Sequence, residues 1–508
     1  MRPVPRTFEA LPADGSVIVC PDGDELRRLI EDNVRRRAGR PVVLAGREWV
    51  RSTDAMVVIT GHQPEFFHPG IWIKSVVAAE VAARFGGRAE FLLVDSDSAE
   101  GVELSWPVQS ESGLTLGRAA LPAARGQPLE AIERRSQAEW QEWFRAVPDS
   151  ILADDESPLP DFVRAFLNGG PDAGYVDRWK AGMSAVDDRV GVPSLRARPV
   201  SRLGDAGESD AWWWFVAHCL LESERCAATY NAALRAYRRR YGIQGERHPM
   251  PDLAVGGGRC ELPFWGLLGG AVRSRLAIAT RAEDGLELWA GDARVGEVSK
   301  SELRRTPLAG VRSLSGDCTL RARALALTAF TRMTRCDVFI HGLGGAAYDE
   351  IADDWMRTFF GVEPPGIVMA TATLRLELPV RSVGAWRPDA ARRTLRDRRY
   401  NPQRLPLVSA NAAELLAERS AAIHESEHLR QFLPTDRAAR RAAFDRIRAA
   451  NLALQRHLDP AITVLDERQI ERVEAHNRVA ERRDWFVALH RVERLRRLVD
   501  NALALLAG

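Results

Sequence analysis

The chain has 508 residues, 45% of them apolar and 28% charged, with a formal net charge of only +2. That length exceeds what one compact core serves, so at least two structural units are expected. The near-neutral balance argues against a nucleic-acid partner and against a membrane-surface binder, and no apolar run approaches the ~18 residues of a membrane span.

The N-terminal stretch MRPVPRTFEALPADGS carries no apolar signal core. The six cysteines, Cys20, Cys219, Cys226, Cys260, Cys318 and Cys336, are scattered without metal-site spacing. Reduced thiols and a cytoplasmic location are therefore expected. Basic residues are nearly all arginine; the three lysines are Lys74, Lys180 and Lys300.

In chain order, residues 56–60 (MVVIT) predict a buried strand, 71–85 an amphipathic helix and 90–95 (EFLLVD) the next strand. A strand–helix–strand unit of this kind builds a parallel sheet. From about 105 to 205 the chain is rich in Pro, Gly and charge and reads as an insertion of helices and loops. Residues 209–241 predict one long helix. Its Trp212, Trp213 and Trp214 cover most of a helix circumference and are expected in a core or interface rather than on a ligand platform. Short alternating runs between 253 and 299 predict hairpins. A helix over 320–335, a strand over 336–341, a helix over 346–360 and a strand over 366–374 follow.

After about 408 strand signals stop. Phe444, Ile447, Asn451, Leu454 and Leu458 alternate three and four apart, as do Trp485, Ala488, Val492, Leu495, Val499, Ala502 and Leu506. These are heptad seams, with Asn451 as a polar register residue. Pro460 falls between them, so two long helices are expected to pair antiparallel. The predicted organisation is an α/β core over 1–408 and a helical coiled coil over 409–508.

Three predicted strands end in polar residues: Thr60-Gly61-His62-Gln63, Asp95-Ser96-Asp97 and His341-Gly342-Leu343-Gly344-Gly345. In a doubly wound sheet, ligands bind outside the carboxyl ends of strands where strand order reverses. If these strands are neighbours, His62, Asp95, Asp97 and His341 converge on one crevice, and helix N-termini add donors for an anion. His62 and His68 are separated by prolines and do not read as a shared metal site. Asp95 and Asp97 suit a divalent cation or an amine, and equally a helix cap or an Asx-turn. HGLGG resembles a phosphate loop but lacks the Walker lysine; a tight turn fits it too. Tyr348 and Asp349, one turn into the next helix, either point back to the site or cap it.

Together these stretches resemble the cysteine-adding enzyme family of bacillithiol biosynthesis, the BshC type. TGHQPEFFHPGIWIK matches its TGQQ-type turn and following lysine at Gly61, Gln63 and Lys74. VDSDS matches its EDHD-type motif at Asp95 and Asp97, with Ser96 in place of histidine. HGLGGAAYD matches its GGPGEIAY-type loop at Gly342, Gly344 and Tyr348, with Gly345 in place of glutamate. Arg321 stands for the family's upstream arginine.

The resemblance implies a Rossmann-like core and a dimerising C-terminal coiled coil, hence a homodimer. It also implies ligase chemistry joining cysteine to an amino-sugar malate. Amide formation calls for an activated acyl donor or ATP with Mg²⁺. Gly61, Gly342 and Gly344 would cradle phosphate with Lys74 as a contact. Asp95 and Asp97 would hold the amine or metal, and His62 or His341 would act as base. A small-molecule-binding or assembly protein on the same fold, and a Mg-dependent nucleotidyl-transfer enzyme, are the alternatives.

Overall fold

The computed structural model describes residues 13–39, 41–49, 55–110, 113–205, 210–245, 248–269, 272–281, 284–378, 388–408, 411–461 and 465–507. These form two compact units. The first comprises the described residues of Met1–Trp106, Arg118–Glu377 and Arg483–Gly508; the second those of Pro107–Gly117 and Leu378–Arg482.

The first unit is α/β. Its strands include β1 (Val17–Cys20), β2 (Val57–His62), β3 (Arg88–Leu93), β4 (Arg196–Pro199), β5 (Arg259–Leu268), β6 (Val272–Arg281), β7 (Gly285–Ala290), β8 (Ala293–Ser299), β9 (Cys318–Ala322), β10 (Val338–His341) and β11 (Ile367–Ala372). Its helices include α1 (Gly23–Gly39), α2 (Pro69–Arg84), α3 (Tyr175–Val190), α4 (Ala211–Leu221), α5 (Ser223–Arg240), α6 (Ala324–Thr334) and α7 (Leu343–Trp355).

One sheet runs β1-β11-β10-β2-β3-β4. All its pairs are parallel except β1 with β11. The β-branched run Val57-Val58-Ile59 is buried on both faces, as a central parallel strand requires. Val57 and Ile59 join the core that holds Phe330, Ile351 and Trp355, from α6 and α7. Alternation turns Val58, Thr60 and His62 to the opposite face.

A second sheet, antiparallel throughout, runs β8-β7-β6-β5-β9. It contains the hairpins expected over 253–299 and adds β9.

The helix expected over 320–335 is divided. Residues 318–322 pair with β5 as a strand, and the helix starts at Ala324. The alternating TLRARALAL fits period two and period 3.6 at once, and pairing with β5 decides between them. The single helix expected over 209–241 is likewise two, because Glu222 leaves helical geometry at φ −111°, ψ 33°. Trp212 is buried in the core and Trp213 and Trp214 pack against it, as expected of the triplet.

The second unit is helical: α8 (Pro388–Tyr400), α9 (Ala412–Phe432), α10 (Arg437–Gln455) and α11 (Glu467–Ala480). α9 and α10 form a hairpin of helices. The α10 seam buries Ala443, Ala450, Asn451 and Leu454, whereas Phe444 is 52% exposed. Arg419 Nε donates to Asn451 Oδ1 at 2.6 Å, and Asn451 Nδ2 donates to the Tyr400 carbonyl at 3.1 Å. The polar seam residue is thus satisfied within this unit.

The second expected seam does not pair with the first. Trp485 and Ala488 lie before the last helix, α12 (Val492–Ala507), which belongs to the first unit and packs on α2 and β1. Its Leu495, Leu498, Val499, Ala502 and Leu506 are buried there. A three-and-four apolar stripe serves a globular face as well as a coiled coil, and the sheet unit claims this one. The helical region set at 409–508 therefore stops short of residue 483.

Candidate functional site

Strand order reverses between β2 and β10. From β2 the chain moves through α2 to β3 and later to β4; from β10 it moves through α7 to β11 on the other side. Ile340 lies opposite Thr60, and His62 opposite Leu93. The three polar strand ends are neighbours, the condition set for a shared crevice, and the crevice outside such a reversal is where open α/β sheets take ligands.

Lys74 occupies this reversal. It is 4% exposed. Its Nζ donates to the Gly61 carbonyl at 2.8 Å, and its Cδ would lie 3.8 Å from a Cβ built on Gly342. Burial lowers its pKa to about 8. Gly342 caps α7 without a side-chain hydrogen bond, so the first N–H groups of α7 have no partner from a capping side chain. By contrast, His68 caps α2, its Nδ1 accepting from Gly70 N at 3.1 Å. A helix N-terminus and a buried ammonium each favour a negative charge.

On the β3 side, Gln63 Nε2 donates to Asp97 Oδ2 at 2.8 Å, and Arg273 of β6 donates to Asp97 Oδ1 at 2.7 Å. Burial alone would raise the Asp97 pKa. Hydrogen bonds from Gln63 and Ser98 and the Arg273 guanidinium carry it below the usual value instead. Glu65, in the same loop as Gln63, moves the other way: burial and then the Asp97 charge raise its carboxyl. Two acidic groups pushed apart in this manner suit opposite proton-transfer roles.

Neither Glu65 nor Arg273 figures among the sequence-derived site residues. Glu65 stands inside the quoted turn, where one more acid carries no spacing signal. Arg273 comes from a hairpin 176 residues away from Asp97, and no local pattern announces it.

Several expectations are corrected. His62 and His341 do not converge. His62 shares a face with Thr60, whereas His341 shares the opposite face with Phe339, their ring centroids 4.3 Å apart. His62 is held at 3.1 Å from the Gln63 carbonyl, and burial with the Lys74 charge lowers it to about 3. It is a neutral imidazole and a weak base. His341 turns beneath α7, its Nε2 2.9 Å from Asp349 Oδ2. Asp349 also accepts from Arg332 at 2.7 Å and Thr328 at 3.0 Å. Burial would raise the Asp349 carboxyl, but Arg332 and His341 hold it far below the usual range. Asp349 therefore points back to a strand end, although inside the core. Tyr348 neither faces the crevice nor caps it; its ring packs near Tyr237 and His248, each at 6.2 Å.

Asp95 accepts from Ser201 N at 2.9 Å and Ser201 Oγ at 2.5 Å, and burial raises its carboxyl. Arg321 is committed to Glu130 by two bonds of 2.7 and 2.6 Å. The Glu130 and Leu129 amides in turn donate to the carbonyls of Asp95 and Asp97. Asp95 and Asp97 thus face different partners, with a guanidinium already on Asp97. That arrangement does not fit Mg²⁺, and no group of three acids, histidines or cysteines among the described residues would hold a metal. Gly61 serves strand packing: a Cβ there would meet the Leu92 carbonyl oxygen at 2.4 Å. Gly344 has open space around it, consistent with a place in the cradle.

No protein-family model matches the chain, and no curated protein matches it at a significant level.

Proposed function

We propose that the chain is a Rossmann-like enzyme of the BshC-like kind, forming an amide between an amino acid such as cysteine and a small amine-bearing metabolite. The observation that carries this reading is Lys74: a buried ammonium set against Gly61 and Gly342 where strand order reverses, beside the first turn of α7, which no side chain caps.

In this reading α7 and Lys74 bind an anionic group of the substrate or of the activated acyl donor. Asp97, kept ionised, receives the substrate ammonium on the acceptor positions that Gln63 and Arg273 leave. Glu65, with its raised proton affinity, takes one proton and frees the amine lone pair. The nitrogen then bonds to the acyl carbon, the activating group leaves with its electron pair, and the second proton of the nitrogen passes to that leaving group or to solvent. An activated acyl donor, or ATP used to make one, is required because condensation of a free carboxylate is uphill in water. No step is assigned to a metal.

The test is incubation of the protein with cysteine and glucosaminyl-malate, with and without Mg-ATP, followed by mass spectrometry. A condensed thiol supports the reading. Its absence from folded protein that still binds the amine substrate supports the second reading, a binding protein without turnover. That reading is favoured by one observation: His62, Asp95, Arg321 and His341 are each engaged by an internal partner.

A further inference from the structure

Between α2, α3 and the strands β3 and β4 lies a cavity of about 200 Å³. Phe67, Trp72, Phe91 and Trp179 wall it, and Met183 and Asp187 of α3 project into it. Asp187 is the acidic group in this lining. Its Oδ1 accepts from the Trp72 indole N–H at 2.8 Å and its Oδ2 from Ser194 Oγ at 3.1 Å. Both donors are neutral, and no ion pair to Asp187 is found among the described residues. Lys180, also in the lining, turns its ammonium to Asp177 at 3.3 Å. Arg189 pairs with Asp161.

A carboxyl in aromatic surroundings without a cation is an incomplete arrangement. Burial pushes its pKa up to about 7. A carboxylate offers about four acceptor positions, and two are filled here. The missing partner is a positive charge. Aromatic faces favour the same thing, since a cation within ~6 Å of a Trp or Phe ring is attracted by the ring quadrupole.

We propose that this cavity binds a small organic ammonium, a primary amine on a compact apolar or aromatic body. The amine sits on Asp187 and the body between Trp72, Trp179, Phe67 and Phe91. Cavities of ~150 Å³ are known to hold benzene, so about 200 Å³ suits an aromatic ring with an aminomethyl arm. The inference does not depend on ligase chemistry. Phe67 also lies edge-on to His62 at 5.6 Å, so one ring separates the cavity from the loop of Glu65.

The test is binding of benzylamine at pH 8, read by tryptophan fluorescence and by calorimetry, with benzyl alcohol as the neutral isostere. The expected result is saturable benzylamine binding and at least a tenfold weaker response to benzyl alcohol. Asp187→Asn, whose amide oxygen still accepts from Trp72, should lose at least tenfold in benzylamine affinity. Met183→Trp, which fills the cavity and leaves Asp187 in place, should abolish binding. Equal binding of the alcohol, unchanged affinity in folded Asp187→Asn or Met183→Trp, or no benzylamine binding to the wild-type chain would each overturn the proposal. Because the readout is binding, failure of the condensation assay leaves it standing or falling separately.

Discussion

Replacing Lys74 by methionine separates a functional cation from a structural one. Lys74 is 4% exposed, and its pKa falls from 10.5 to about 8 because burial disfavours the ammonium. At 1.36 kcal/mol per tenfold change in proton affinity, that difference corresponds to about 3 kcal/mol of native-state penalty. The sign follows from linkage. Below pH 8 both folded and unfolded chains carry the proton, and the folded one bears the full penalty. Between pH 8 and 10.5 the unfolded chain alone stays protonated, and the penalty fades. Above 10.5 it is gone. Lys74→Met keeps the stem volume and removes the charge, losing one bond to the Gly61 carbonyl worth about 1 to 2 kcal/mol. The variant is expected to be about 1 to 2 kcal/mol more stable than wild type at pH 7, with the gap closing toward pH 10. It should also lose anion binding at the crevice. Urea unfolding at pH 7 and pH 10, with calorimetric binding of an anionic substrate, measures both. A variant less stable at pH 7 that binds as before would show Lys74 to be a tether for the Gly61 strand end and would refute the argument.

Other substitutions probe the neighbouring groups. Glu65→Gln should lower the condensation rate by about 10²- to 10⁴-fold with little change in KM, and Asp97→Asn should raise KM for the amine; steady-state kinetics by mass spectrometry distinguishes them. Asp349→Asn leaves Arg332 buried with a weakened partner and should cost about 3 to 5 kcal/mol in denaturant unfolding. Because the Asp349 carboxyl is depressed in the folded chain, its stabilisation is present above the ordinary aspartate range and is lost as pH falls below it. The difference between wild type and the variant should therefore shrink in acid. The two loop glycines should part company: Gly344→Val, with open space around it, keeps stability and weakens anion binding. Gly345→Ala places a Cβ 2.7 Å from His341 Nδ1 and should lower stability by about 1 to 3 kcal/mol.

The strands that carry the crevice are legible because VVIT, EFLL and VFIH are continuous apolar runs ended by glycine or acid, and a buried parallel strand has few other ways to look. Their adjacency is a condition of the site that the runs themselves do not supply, since Thr60 and Ile340 are 280 residues apart. Which way each side chain turns does not follow. His62 and His341 read as a pair by their place at strand ends. A period of two, counted from residues already committed to opposite faces, sends them apart. The serine hydrogen bonds that engage Asp95 and the ion pairs that engage Arg321 and Asp349 reach across 17 to 191 residues and leave no local trace. The last helix shows a further limit: its apolar stripe is plain in the sequence, but the surface that receives it, α2 and β1, was built hundreds of residues earlier.

That last helix has a consequence for synthesis on the ribosome. Asn501 Nδ2 donates to the Gly15 carbonyl at 3.0 Å, and Arg494 meets Asp14 at 2.6 Å, so the opening strand waits for the closing helix. β11, which lies between β1 and β10, also arrives only after residue 366. The sheet unit therefore cannot be completed until residues 492 to 507 have been made. Its early segments must stay open, with apolar strand faces uncovered, until that helix arrives. The helical segment from 388 to 480 is nearer the opposite case: it is translated in one stretch, and its distant partner, the described part of Pro107–Gly117, has already been made by then. It can form first, and the newly made chain would then depend on holding chaperones for its beginning rather than for its middle.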